Sequence, residues 1–373
     1  MPRGARPQRD EGVEVIAVPW LDLEGLGQAI GLRPSAVVKS RIRPGPPRYT
    51  MFRRVVTKVA VPDRFFTWIP AAVRAARKAL RSNSIVLGSG QRSAYVVARL
   101  AHGERPLIAD LNDLWSSNPQ RPVGKVRNRI DELMETWALK DADRLTTVNE
   151  LIAEEWQRRL DRQVASIHSG FDPGDFPPLS PSRRNGPVRL VYSGTVYFTF
   201  DLTPLYEAIR SGLVEGWLRN DSLELSFIGR LSERVVHESK ELGISQFFRV
   251  CGPIDHDELL KKLVQADALI LPVFEADPYA LPMKFFEYVG AGRPILALGP
   301  ANRLASRTVV EHGLGIGLHD TEGVNEFLRS VVGDRSALPV PDPGAREMFT
   351  WQRSVDRLAA IVLELSEEEL VEA

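Results

Sequence analysis

Residues 283–291, MKFFEYVGA, hold the sharpest chemistry in the chain, with Lys284 and Glu287 three apart just after Pro282. On a helix over 283–291 that spacing places both on one face near the N-terminus, where backbone N–H groups and the helix dipole favour an anion. A lysine there suits phosphate oxygens. A carboxylate suits vicinal sugar or ribose hydroxyls, which are good donors. The bland alternative is an intrahelical ion pair on a solvated face, but Phe285, Phe286 and Tyr288 leave little room for one unless it lines a cleft. Gly290 and Gly292 allow close packing of the same helix.

Other candidates are weaker. Ser193-Gly194-Thr195 closes an apolar run, and Gly194 would let a phosphate approach the backbone; a tight turn favours glycine equally, and no full G-x-G-x-x-G accompanies it. Gly229-Arg230 closes another run, where a guanidinium would either fork onto a diphosphate or lie on the surface. Asp141-Ala142-Asp143 has the D-x-D spacing of divalent-ion sites, yet it falls between a helix and a strand, where capping explains it more simply. The six histidines, at 102, 168, 237, 256, 312 and 319, show no H-E-x-x-H or comparable ligand spacing, so no metal is expected. No G-x-S-x-G elbow or P-loop occurs, which argues against hydrolases and P-loop kinases.

The elements that must position these residues alternate along the chain. Apolar, β-branched runs at 13–18 (VEVIAV), 84–90, 105–113, 144–150 and 162–170 are separated by helical patterns such as WIPAAVRAARKALR and VRNRIDELMETWALKDA. This is the sequence form of βαβ units on a parallel sheet. Between Phe171 and Val188 the pattern lapses into DPGDFPPLSPSRRNGP, a linker. Runs at 188–196, 223–230, 247–254, 266–273 and 293–300 then restart it, each followed by a helical segment. Two such domains predict a cleft between them, with ligands bound beyond the carboxyl ends of the strands.

Composition sets the outer limits. The 373 residues carry 48 Lys plus Arg against 48 Asp plus Glu and are 43% hydrophobic, as in globular proteins of two ordinary domains. The single Cys251 excludes an intramolecular disulfide and fits a reducing compartment, and MPRGARPQRDEG lacks a signal peptide's apolar core, so a cytoplasmic location is expected. Charge is uneven. Between Lys39 and Arg81 there are twelve Lys or Arg against the one acid Asp63, interleaved with Phe52, Phe65, Phe66 and Trp68. That stretch reads equally as a surface for an anionic membrane, at its inner face, and as a solvated, arginine-rich helical face; nucleic acid is a weaker reading and is not expected.

Together, YSGT, FIGR, CGPIDHDELLKKLVQADALILP and PMKFFEYVGAGRPILAL resemble the nucleotide-sugar half of GT-B glycosyltransferases of the retaining family 4 type. PLIADLNDLW, DRLTTVNELIAEEW and SIHSGFDPGDF are similar to that family's acceptor-side segments. The resemblance implies an α/β, GT-B chain, with two Rossmann-like domains facing each other across a cleft. It divides as 1–172, an acceptor-side domain; 173–187, a linker; 188–345, the nucleotide-sugar domain; and 346–373, a helix crossing back to the first domain and ending in an acidic tail.

It further implies transfer, with retention and without metal or cofactor, from a nucleoside-diphosphate sugar to a glycan, lipid-linked or small-molecule acceptor, as in surface polysaccharide assembly. Glu287 would hold the ribose hydroxyls, while Lys284, Arg230 and the Gly194-Thr195 amides neutralise the diphosphate and the base lies near Pro253 and Ile254. An inactive, nucleotide-binding subunit and a sugar-nucleotide epimerase of the same architecture are the alternatives. Three departures stand out. Tyr279 occupies the position of an acid that meets the donor sugar, with Glu275 or Asp277 as substitutes. Asn112-Asp113 replaces the usual strand-end residues, which makes Asp113 the better candidate for contact with the transferred sugar or acceptor hydroxyl. Finally, VEVIAV resembles the family's second strand, so the first strand is either VEVIAV itself, with Gly25 and Gly27 serving its loop, or upstream, or missing.

Overall fold

The computed structural model describes residues 15–18, 60–118, 123–179, 186–196, 200–229 and 233–372. Two compact units emerge: Met1–Ser166 with Ile361–Ala373, and Ile167–Ala360.

The first unit runs α1 (Ile69–Ala79), β1 (Val86–Ser89), α2 (Arg92–His102), β2 (Leu107–Leu111), α3 (Lys125–Leu139), β3 (Arg144–Thr147), α4 (Glu150–Leu160) and β4 (Ala165–Ser166). All pairings are parallel, in the order β1-β2-β3-β4. β2 is an interior strand, between β1 and β3, and Leu107, Ile108, Ala109 and Leu111 are buried, as expected of a parallel sheet covered by helices on both faces. Asn149 starts α4 by accepting the Ile152 amide at 2.9 Å.

VEVIAV departs from expectation. Residues 15–18 form no strand, and none precedes β1 among the described residues. Val15 and Ile16 are exposed, and an apolar run becomes a strand only where a neighbouring strand takes up its backbone groups.

In the second unit the order is β5 (Val188–Ser193), α5 (Thr203–Glu215), β6 (Leu223–Ile228), α6 (Glu233–Glu241), β7 (Phe248–Cys251), α7 (His256–Val264), β8 (Ala268–Pro272), α8 (Met283–Ala291), β9 (Ile295–Leu298), α9 (Leu304–Glu311), β10 (Gly315–Leu318), α10 (Thr321–Gly333) and α11 (Pro343–Met348). A final helix, α12 (Trp351–Glu372), follows. Phe171, at the start of this unit, donates its amide to Phe349 at 3.1 Å and accepts from Trp351 at 3.0 Å.

The parallel sheet has the order β10-β9-β8-β5-β6-β7. Strand side chains alternate between two apolar layers: Leu190, Tyr192, Ile270 and Leu296 on one face, Val191, Leu269, Leu271 and Ile295 on the other. That is why these strands read as unbroken apolar runs. The sheet's winding reverses at β5, which lies between β8 and β6. Such a switch point leaves a crevice at the carboxyl ends of the strands, the ordinary ligand position of open α/β sheets.

Candidate functional site

At the carboxyl end of β5 the chain turns through Gly194, whose φ is 107°. Gly194 donates its amide to Ile228 O at 2.8 Å, and Gly229, with φ 125°, donates to Cys251 O at 3.0 Å. The two turns nearly touch: a Cβ on Gly229 would lie 2.5 Å from Gly194 O. Both positions therefore need glycine for conformation, and Gly229 needs it for space as well.

Helix α8 arrives from the other side of the switch point and covers 283–291, the range its lysine–glutamate spacing predicts. No side chain caps its first turn, which also holds no acid; the Phe285 amide donates to Pro282 O at 2.8 Å, and the Met283 and Lys284 amides ahead of it are the ones suited to an anion. The helix is tied to β5 twice. Lys284 Nζ donates to Tyr192 Oη at 2.7 Å, and the buried Tyr288 Oη accepts the Ser193 amide at 2.8 Å. Tyr192 Oη in turn donates to Thr195 O at 2.7 Å. A Cβ on Gly194 would lie 3.1 Å from Lys284 Nζ, so the ammonium sits directly over the glycine turn.

Electrostatics single out the same pair. Burial draws the Lys284 ammonium down to about 8, partly offset by Glu287. Burial also raises the Glu287 carboxyl, opposed by His256 and Lys284. His256, the first residue of α7, has Nδ1 3.9 Å from Glu287 Oε1. A half-buried cation and a half-buried carboxylate side by side at the switch-point crevice are groups poised for a polar ligand.

The remaining predicted residues are placed as follows. Thr195 is exposed beside Gly194. Pro253 is exposed and Ile254 half-buried in the turn between β7 and α7, where Ile254 packs on the core beneath α8. Tyr279 lies in the β8–α8 loop, its amide donating to Asp277 Oδ1 at 3.0 Å, while the Glu275 carbonyl accepts from Arg303 Nε at 2.9 Å. Arg230 lies outside the described residues. In the first unit, Asn112 and Asp113 are exposed just past β2.

Asp110, the fourth residue of β2, accepts from Ser89 Oγ at 2.7 Å and Thr146 Oγ1 at 2.8 Å, so it ties three strands together. Both acids of the D-x-D sequence are engaged: Asp143 Oδ2 accepts the Leu107 amide at 2.7 Å, and Asp141 pairs with Arg99 at 2.5 Å.

Three participants escaped the sequence reading. Tyr192 sits two residues before a noted glycine but reads as a core aromatic, His256 carries no motif, and Tyr288 looks apolar. Only pairing across 92 and 95 positions of sequence reveals the roles of the tyrosines.

Solved structures share this architecture. HepE of Anabaena in complex with UDP superposes with a TM-score of 0.60 at 13% identity, over 79% of this chain and 82% of that one. Sucrose-phosphate synthase of Thermosynechococcus elongatus gives 0.58 at 16%, over 80% and 78%. The fold is GT-B. A curated protein similar in sequence is glycogen synthase of Mycobacterium tuberculosis, 22% identical over 266 residues, which are 69% of this chain. The chain thus spans 63% of the length of that relative. No family model matches the chain. Within a GT-B fold the second unit corresponds to a sheet wound in both directions around β5, and the Lys284 site stands at that reversal.

Proposed function

We propose that the protein is a glycosyltransferase that moves a sugar from a nucleoside-diphosphate donor to an acceptor hydroxyl, with retention, without metal and in the manner of family 4. One observation carries the reading: a lysine held by Tyr192 over the Gly194 turn, at the open N-terminus of α8 and one helical turn from Glu287. When the anomeric C–O bond breaks, negative charge builds on the diphosphate oxygen. Lys284, the α8 amides and the Gly194-Thr195 backbone are arranged to receive it, and such preorganised stabilisation is usually the largest catalytic contribution.

Glu287 accepts from the ribose hydroxyls, the base rests against Pro253 and Ile254, and Arg230 adds a second cation to the diphosphate. The acceptor oxygen forms the new bond to the anomeric carbon on the face the diphosphate leaves, and its proton passes to the departing diphosphate oxygen, with Asp113 beside Asn112 as the group that contacts the sugar or acceptor hydroxyl. The acceptor is a glycan, a lipid-linked glycan or a small metabolite, and the reaction takes place in the cytoplasm at the inner membrane face. The HepE structures with UDP and with UDP-glucose support a donor of this chemical class.

Lys284→Ala and Glu287→Ala are each expected to lower donor turnover by about 100-fold or more while leaving the thermal unfolding profile intact. Near-normal turnover in both variants would sink the assignment. A second reading, a subunit that binds the nucleotide without transfer, is favoured by Tyr279 standing where an acid is expected. Saturable nucleotide binding with neither hydrolysis nor transfer across an acceptor panel would select it.

A further inference from the structure

Helix α3 is built inside out. Its enclosed side carries charge: Asp131 and Glu135 are both 0% exposed. Arg127 Nε holds Asp131 at 3.0 Å, Arg159 pairs with Glu135, and the Ser116 amide donates to Glu135 at 2.7 Å. Its outward side carries Val126, Ile130, Leu133 and Trp137, all exposed, with Val126 at 78% and Leu133 at 57%. Those positions are i, i+4, i+7 and i+11, a single stripe on an α-helix. Single exposed apolar residues need no explanation, but a contiguous stripe of this length on the solvent side does.

Lys125, Arg129 and Lys140, all exposed, lie along one edge of the stripe. Of these, Arg129 reaches Glu132 with Nη1 at 3.0 Å. At the far end Asp141 is taken up by Arg99, whose guanidinium also stands 4.5 Å from the Trp137 ring centroid. The edge therefore carries three cations against the one acid Glu132, with an aromatic at one end.

We propose that this face of α3 docks the protein on an anionic lipid bilayer, with the stripe entering the boundary between headgroups and acyl chains and Lys125, Arg129 and Lys140 meeting lipid phosphates. The one-sided row of cations beside the apolar stripe is what favours a bilayer over a helical protein partner: flat anionic surfaces satisfy both at once, and long basic side chains reach headgroups while their stems stay apolar. The proposed surface is made of residues 125–140 rather than of the 39–81 stretch, and the inference does not rest on the donor site.

Flotation of the full chain with phosphatidylcholine vesicles, with and without phosphatidylglycerol, tests it. Association is expected with the anionic vesicles, weakening as salt rises. Ile130→Glu with Leu133→Glu, and separately Lys125→Glu with Arg129→Glu, are expected to weaken it by about tenfold or more. These positions are exposed, so unfolding temperatures should match the wild type. An environment-sensitive dye on Leu133→Cys, in a Cys251→Ser background, should shift to the blue on anionic vesicles, while the same dye on Val340→Cys should not. Absence of flotation, or flotation that survives both pairs of substitutions, overturns the proposal. So does a dimer that Ile130→Glu with Leu133→Glu dissociates without any lipid binding, which would assign the face to a second copy of the chain.

Discussion

Lys284 is a cation in a place that disfavours cations. With its pKa drawn down to about 8 by burial, it is mostly charged near neutrality and loses its proton as pH rises through that value. An arriving diphosphate favours the charged form, so binding and proton uptake are coupled. Nucleoside diphosphate affinity is expected to be highest below about pH 8 and to fall by up to about tenfold per pH unit above it, until the pKa of the complex is reached. At the acid end Glu287, whose carboxyl is raised above its ordinary value, loses its acceptor capacity as pH falls through that raised pKa. Calorimetric titrations in buffers of different ionisation enthalpy measure the proton uptake. A flat profile across the alkaline range would show that Lys284 does not meet the phosphates. The pair was legible in the sequence because its spacing and surroundings are local; the Tyr192 and Ser193 partners were not, because those contacts form across a fold.

Among the elements, β5 and α8 act as one piece. The turn after β5 must pass under the Lys284 ammonium and beside the turn after β6, and Gly229 is where the space runs out. Gly229→Ala would place a Cβ 2.5 Å from Gly194 O at a φ of 125°. Such strain costs about 1–3 kcal/mol before any clash is relieved, and relief would push Gly194 away from its position under Lys284. The expected result is lower stability in urea together with weakened nucleotide binding; unchanged values of both would show that the two turns are not coupled. The glycines themselves were visible in the sequence. That Gly229 clears Gly194 came from the close approach of the two turns alone. β10 was missed for a similar reason: GIGL holds too few branched residues to signal a strand, and Gly315 packs against the Ile295 backbone.

For the whole molecule, the two units carry different sheets. One has four described strands in simple succession, the other six strands with a reversal at β5. A nucleoside diphosphate that binds only the folded second unit stabilises it by about 2.7 kcal/mol at a hundredfold excess over its dissociation constant. Hydrogen exchange should then slow at the ends of β5 and β6 and at the start of α8, with β1 to β4 unaffected by UDP alone. Protection confined to the first unit would contradict the assignment of the donor site. Among the described residues no helix is long and apolar enough to cross a membrane.

What the sequence determined by itself was the alternation of elements, the parallel α/β class and the Lys284–Glu287 pair, because apolar periodicity and helical spacing are properties of neighbouring residues. The tertiary structure decided the rest. It placed the reversal of the sheet at β5, put Tyr192 under Lys284 and His256 beside Glu287, enclosed Asp131 and Glu135 while turning the apolar stripe of α3 outward, and left residues 15–18 without a strand. Each of these depends on which distant segments share a sheet edge or a helix face, and local pattern carries no information about that.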